Sequence, residues 1–359
     1  MTKGYITSKQ FFSLLYLSVL GSVFMYISSP EITIARTESL LRPVVFFAFS
    51  IIVMIPVYCI CKKNPVVPCV NSPSDGSNIV LKTVAVVYSI VYLADALITV
   101  ARFDLFASFE LFPGTDMTFF IIGLVLVCAY IAMFGIRGLA RAAVIFTVIV
   151  VSATAFAMFT LGKEIDFLNF TPLFEDGIGK FVTDSLSFCV QASELGAILL
   201  FAPRIKGDIK KTFVGWLGLS SVTFSLILFF VVGSLGAFAD TQLFPTYISI
   251  SLAQFGLFER LDALETAIWI LCVVSKLTMY LIIISQCISF SFKKIPLMYS
   301  AGGAAAIICA VVIYVSGNIE HFDFLSFMPL VVTVFAVPVL VLPGIILCVR
   351  KVKGGDAVE

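Results

Sequence analysis

Hydrophobic positions dominate this chain in long runs, and polar positions punctuate them. A hydrocarbon core of about 30 Å takes about 20 mostly apolar helical residues to cross. Runs of that kind fall at 11–29, 43–61, 79–101, 117–134, 139–161, 179–202, 212–238, 262–290, 297–316 and 324–349. The pattern predicts about ten transmembrane helices in an all-α integral membrane fold. Between the runs, residues 62–78 form a Pro/Ser/Asn/Gly-rich loop, and residues 163–177 form an acidic one. Residues 244–261 are too polar for a span and predict a short amphipathic helix ahead of the eighth run.

Charge in the connections alternates. Lys62, Lys63, Arg137, Arg141, Arg204, Lys210, Lys211, Lys293, Lys294, Arg350 and Lys351 fall on one side of a ten-helix arrangement. Glu164, Asp166, Glu175, Asp176, Asp240, Glu320 and Asp323 fall on the other. The positive-inside rule places both termini and the 62–78 loop in the cytoplasm, with the 244–261 helix outside. An odd helix count would scramble this separation. The run that starts near Phe11 lacks a small-x-small cleavage pattern and reads as a retained first helix rather than a signal peptide.

Composition agrees and narrows the classes. The chain has 359 residues, 60% hydrophobic and 13% charged, with a net charge of +1. A soluble domain carries roughly 25% charged residues. A soluble enzyme, a disordered protein and a nucleic-acid binder are thereby excluded. Most of the nine cysteines lie within spans, where free Cys behaves as a small hydrophobe. Cys59-x-Cys61 has no accompanying His or second Cys pair, so neither a metal nor a cofactor is expected.

Two spans at matching positions contain interruptions. The first holds Gly21-Ser22 and then Ser28-Ser29-Pro30; the sixth holds Gln191 to Gly196, with Ser193, Glu194 and then Pro203. Ten helices divide into halves of five at about 8–161 and 178–349, which makes spans one and six counterparts in an inverted repeat. Broken helices at such positions are where transporters place substrate.

Charges inside the spans are costly and therefore informative. Tyr88, Tyr92, Asp95 and Arg102 share one face of the third helix, and Asp184, Ser187, Gln191 and Glu194 one face of the sixth. Glu265, Trp269, Cys272, Lys276 and Tyr280 share a face of the eighth. Lys82 and Arg102 lie near membrane ends and can snorkel. Asp95, Glu194 and Lys276 lie too deep for that and are expected to face the interior. The expected substrate site comprises Gly21, Ser22, Tyr92, Ser193, Glu194 and Gly196. Asp95, Glu194 and Lys276 are expected to serve ion or proton coupling, or to form a buried ion pair. Lys276 takes the place of a sodium ion in that scheme.

Several stretches resemble the spore germination permease family, the B-type membrane subunit of nutrient germinant receptors. They are Phe244-Pro245-Thr246-Tyr247 with Phe258-Glu259-Arg260-Leu261-Asp262-Ala263-Leu264, Trp269 and Lys276; Gly135-Ile136-Arg137-Gly138-Leu139-Ala140-Arg141; Asp166 through Gly177; and Ser193-Glu194. Where that family often has Trp at the start of helix two, this chain has Arg42-Pro43. The resemblance implies the amino acid/polyamine/organocation superfamily and a leucine-transporter-type inverted repeat with broken helices one and six. It implies amino-acid or small-nutrient sensing in the spore inner membrane, beside an A-type membrane subunit and a C-type lipoprotein. A proton-coupled amino-acid permease is the alternative. An intramembrane enzyme would need a nucleophile with its base, paired aspartates or a metal motif. The chain has no HExxH, and its one histidine, His321, reads as solvated beside Glu320 and Asp323.

Overall fold

The computed structural model describes residues 5–27, 34, 36–63, 79–115, 118–171, 177–191, 194–201, 204–253, 261–292 and 295–316. Side chains at 56–63, 80, 187, 190 and 191 lie outside that description. The elements in order are α1 (Ser8–Ile27), α2 (Arg42–Lys63), α3 (Ile79–Phe106), α4 (Thr118–Met133), α5 (Ile136–Leu161), α6 (Ile178–Gln191), α7 (Glu194–Phe201), α8 (Ile209–Leu235), α9 (Pro245–Leu252), α10 (Asp262–Ser291) and α11 (Leu297–Ser316). Seven stretches among the described residues are long and apolar enough to cross a membrane. The protein is an integral membrane protein. The run at 324–349, the loop at 64–78 and Ser193 lie outside the described residues.

The helices separate by burial. In the most apolar window of α1, 89% of residues are buried, and in that of α10, 78%; in α5 the share is 22%. So α1 and α10 form the centre, while α5 turns Ile145, Val148 and Ile149 outward. Lipid-facing helices have such apolar outer faces, since no water there penalises them. Among the central helices, α1 packs on α5, α8 and α10, and α10 packs on α3, α4 and α11.

Local sequence sets the helix ends. Asp208 precedes α8 and its Oδ1 accepts from the amides of Lys210 and Lys211 at 3.0 and 3.3 Å, an N-cap that satisfies two orphan donors. Pro245 opens α9, where its missing N–H costs nothing. Gly135 joins α4 to α5 at φ 75°, a conformation that favours glycine. Asp166 and Asn169 dock the loop after α5 onto the end of α8. Their backbone and side-chain nitrogens donate to Gly233 O, both at 2.9 Å.

Two departures from expectation concern the first span and the short strands. α1 runs unbroken through Gly21-Ser22, so that pair does not interrupt the helix. An α-helix accommodates one glycine at modest cost, and burial on every side outweighs it. The later Ser28-Ser29-Pro30 lies outside the described residues. A two-residue parallel pairing, Ile6–Thr7 with Ile205–Lys206, ties the start of α1 to the segment after α7. The sixth span is divided as expected, into α6 and the eight-residue α7.

Candidate functional site

Four helices converge where the charges are buried. Ser18 and Ser22 lie one turn apart on α1, Tyr92 and Asp95 on α3, Lys276 and Tyr280 one turn apart on α10, and Glu194 is the first residue of α7. Glu194 is 0% exposed, Lys276 1% and Asp95 3%. None of the three reaches solvent, so each must be satisfied by its neighbours.

The neighbours form a connected network. Lys276 Nζ donates to Ser22 Oγ at 2.6 Å. It lies 3.6 Å from Asp95 Oδ1 and 3.9 Å from Glu194 Oε1. Ser18 Oγ and Ser22 Oγ donate to Glu194 Oε1 at 2.7 and 3.1 Å, and the Tyr280 hydroxyl donates to the same oxygen at 3.4 Å. The lysine ammonium also sits 5.5 Å from the Tyr280 ring centroid, a cation–π distance. Ser22 thus links the one cation to the carboxylate at the head of α7. Glu194 Oε2 is buried and has no hydrogen-bond partner among the described residues.

The tyrosines and glycines shape the walls. The Tyr92 ring lies 5.1 Å from that of Tyr280 and 6.1 Å from that of Tyr88. A Cβ on Gly196 would lie 2.8 Å from the Tyr92 hydroxyl, so only glycine allows α7 this close to α3. A Cβ on Gly21 would meet Cys272 Cβ and Lys276 Cδ at 3.6 Å, ordinary contact. Gly21 therefore faces α10 within a continuous helix, and its amide is not freed for a ligand as a break would free it.

A sequence profile described as "Spore germination protein" matches residues 5–318. The chain belongs to that family. Among its relatives is YfkT of Bacillus subtilis (strain 168), a protein named for spore germination, which is 27% identical over 286 residues, 78% of each chain. Two solved structures share the fold. One is a substrate-bound, outward-open Na+-coupled sialic acid symporter, at TM-score 0.60 and 13% identity, covering 94% of this chain and 80% of that one. The other is MhsT in complex with L-phenylalanine, at TM-score 0.53 and 16% identity, covering 93% and 89%. This member of the family thus has the leucine-transporter-type fold expected from its sequence.

In this member of the family, the structure brings together Gly21, Ser22, Tyr92, Asp95, Glu194, Gly196 and Lys276. Ser193 lies outside the described residues. Ser18 and Tyr280 complete the network. Ser18 was legible as the residue one turn before Ser22, and Tyr280 as the residue one turn after Lys276. Asp184, on the same face of span six as Glu194, lies outside this network. Its Oδ2 instead pairs with Arg42 Nη2 at 3.0 Å, and Tyr26 donates to its carbonyl at 2.8 Å. Arg102 does not snorkel: it is buried and donates to the Met25 carbonyl at 3.1 Å.

Proposed function

We propose that this protein binds an amino acid or similar small nutrient among α1, α3, α7 and α10, and that binding triggers spore germination. It would act as the membrane subunit of a nutrient-germinant receptor, in the spore inner membrane, with both termini cytoplasmic. An A-type membrane subunit and a C-type lipoprotein would be its partners. The halves 8–161 and 178–349 would form the inverted repeat, and the helix within 244–261 would be the external lid. The observation that carries the reading is the Glu194 carboxylate. Two buried carboxylates, Asp95 and Glu194, face one ammonium, Lys276, and Glu194 Oε2 has no hydrogen-bond partner among the described residues. A ligand ammonium would satisfy that oxygen. Lys276 would take the ligand's carboxylate, while Ser22 keeps its hydroxyl proton on Glu194.

Ligand binding shifts the protein between states only by its differential affinity for them. A receptor passes that shift to a partner subunit; a proton-coupled permease, the second reading, uses it to move substrate. The buried Asp95–Lys276–Glu194 chain, joined through Ser22, favours keeping that second reading, because it offers a proton several adjacent stations. The deciding experiment is a thermal-shift screen of amino acids on the purified full chain, repeated on Glu194→Gln. Native-state binding raises the midpoint. Stabilisation by an amino acid in the wild type and its loss in the variant is the expected result. No stabilisation by any amino acid, or equal stabilisation of both proteins, overturns the site. Uptake of the same amino acid into proteoliposomes then separates permease from receptor.

A further inference from the structure

A second buried carboxylate lies outside this network. Glu265, one turn into α10, is 1% exposed, and its Oε1 has no hydrogen-bond partner among the described residues. It lines a cavity of about 30 Å³ between α1, α5, α8, α9 and α10. That is room for a water-sized body or two, since one such body needs roughly 10–15 Å³. Thr246 of α9 lines the same cavity, and its Oγ1 is likewise buried without a hydrogen-bond partner. A carboxylate and a hydroxyl from different helices thus stand side by side, the hydroxyl turned to the carboxylate as a weak donor, and Glu265 Oε1 still lacks a hydrogen bond among the described residues.

The surrounding charge does not answer Glu265. The walls from α1, α5 and α8 are apolar: Phe24, Leu161, Phe230 and Val231 among them. From α9 come Thr246 and Ser249, and Ser249 shares a hydrogen bond of 2.8 Å with Ser234. The phenol of Tyr247 donates to Asp262 Oδ2 at 3.1 Å. On α10 itself, Asp262 precedes Glu265 by one turn, and the Cys272 thiol follows two turns on. Both are acidic groups, neither a cation, and the buried Arg102 of α3 is turned to the Met25 carbonyl. Lys276 stands eleven residues along, about 16 Å at the helical rise. A charge buried without a partner is expensive, and one positive charge between the two oxygens removes the cost.

We propose that the Glu265 cavity is a second site that takes a single positive charge, a proton or a monovalent cation of about water size, between Glu265 and Thr246. Glu265 belongs to α10 and Thr246 to α9, so the occupant fastens α9 to the bundle. The Tyr247–Asp262 and Ser234–Ser249 hydrogen bonds also fasten α9. The site is coupled to the aromatic cluster around Trp269, one turn beyond Glu265. The Trp269 ring packs on Phe106 at 4.2 Å, Phe244 at 5.7 Å and Phe24 at 5.9 Å.

Trp269 is also the reporter. In the purified full chain with Trp216→Phe, its emission is followed in the absence of amino acids. Sodium chloride replaces choline chloride at constant ionic strength, and pH is varied separately. A saturable change with sodium identifies the metal ion; a change with pH alone identifies the proton. Either change is expected to vanish in Glu265→Gln and to shift to higher cation or proton concentration in Thr246→Val. Absence of a saturable change in both titrations, or an identical change in Glu265→Gln, overturns the proposal. If Glu265→Gln does not fold, an unshifted curve in Thr246→Val overturns it. The readout needs no nutrient, so its failure is distinct from failure of the Glu194 site.

Discussion

Ser18 on α1 donates to Glu194 Oε1 on α7 at 2.7 Å, across 176 residues of sequence. The contact joins a helix of the first half to the head of a short helix in the second. It also shows how this fold keeps a carboxylate in its interior: hydroxyls replace water as donors. Hydrogen bonds to charged groups stabilise by about 1.5–3 kcal/mol. Ser18→Ala is expected to cost an amount in that range, read as a lower thermal midpoint. In the Glu194→Gln background the same change should cost clearly less, because the acceptor is no longer charged.

Lys276 is the cation between two carboxylates. Breaking a buried pair from one side costs on the order of 3–5 kcal/mol, because an uncompensated charge remains. Lys276→Met is therefore expected to reduce the yield of monodisperse protein in detergent severely. Adding Asp95→Asn should recover part of that yield. A lone Asp95→Asn is expected to be milder, since Lys276 keeps Ser22 and Glu194.

Arg42 and Asp184 form a buried pair away from the ligand site, with side chains 1% and 10% exposed. Asp184→Asn should lower stability as an Asp95 change does. Its effect on amino-acid stabilisation should be absent: the midpoint falls, and the ligand-induced rise stays. A lost ligand response in Asp184→Asn would place this pair inside the functional network.

Gly196 and Tyr92 give a steric test. Gly196→Ala sets a methyl 2.8 Å from the Tyr92 hydroxyl, inside van der Waals contact. The buried ring between Tyr88 and Tyr280 has little room to move. The variant should lose nutrient stabilisation, and the double variant with Tyr92→Phe, which removes the offending oxygen, should regain it. Gly21→Ala, by contrast, adds a methyl at ordinary contact distance and should be tolerated, while Gly21→Trp should force α1 from α10 and abolish the response.

Much of the fold was legible as one-dimensional pattern. Nine of the ten expected spans correspond to described helices, because the need to satisfy every backbone group within a bilayer makes apolar length alone diagnostic. The start of a separate helix at Glu194 was legible too. The break at Gly21-Ser22 was not real, because small residues serve close packing as readily as interruption. Gly21 faces Cys272 and Lys276 inside an intact helix.

Partnership was the part the sequence left open. Asp95, Glu194 and Lys276 were recognisable one by one, since charge buried in a span needs a reason. Which carboxylate meets which cation depends on how the helices rotate and cross, and periodicity within one helix does not contain that. So Asp184 meets Arg42 of another helix, and Arg102 turns inward to a carbonyl. By itself the sequence determined an all-helical membrane protein and the residues whose burial had to be compensated. Only the tertiary structure decided the compensation: Ser18, Ser22 and Tyr280 around Glu194, Lys276 between two carboxylates, and Glu265 facing Thr246 across a small cavity. The physical reason is that hydropathy is a property of single segments, whereas electrostatic satisfaction is a property of segments in contact.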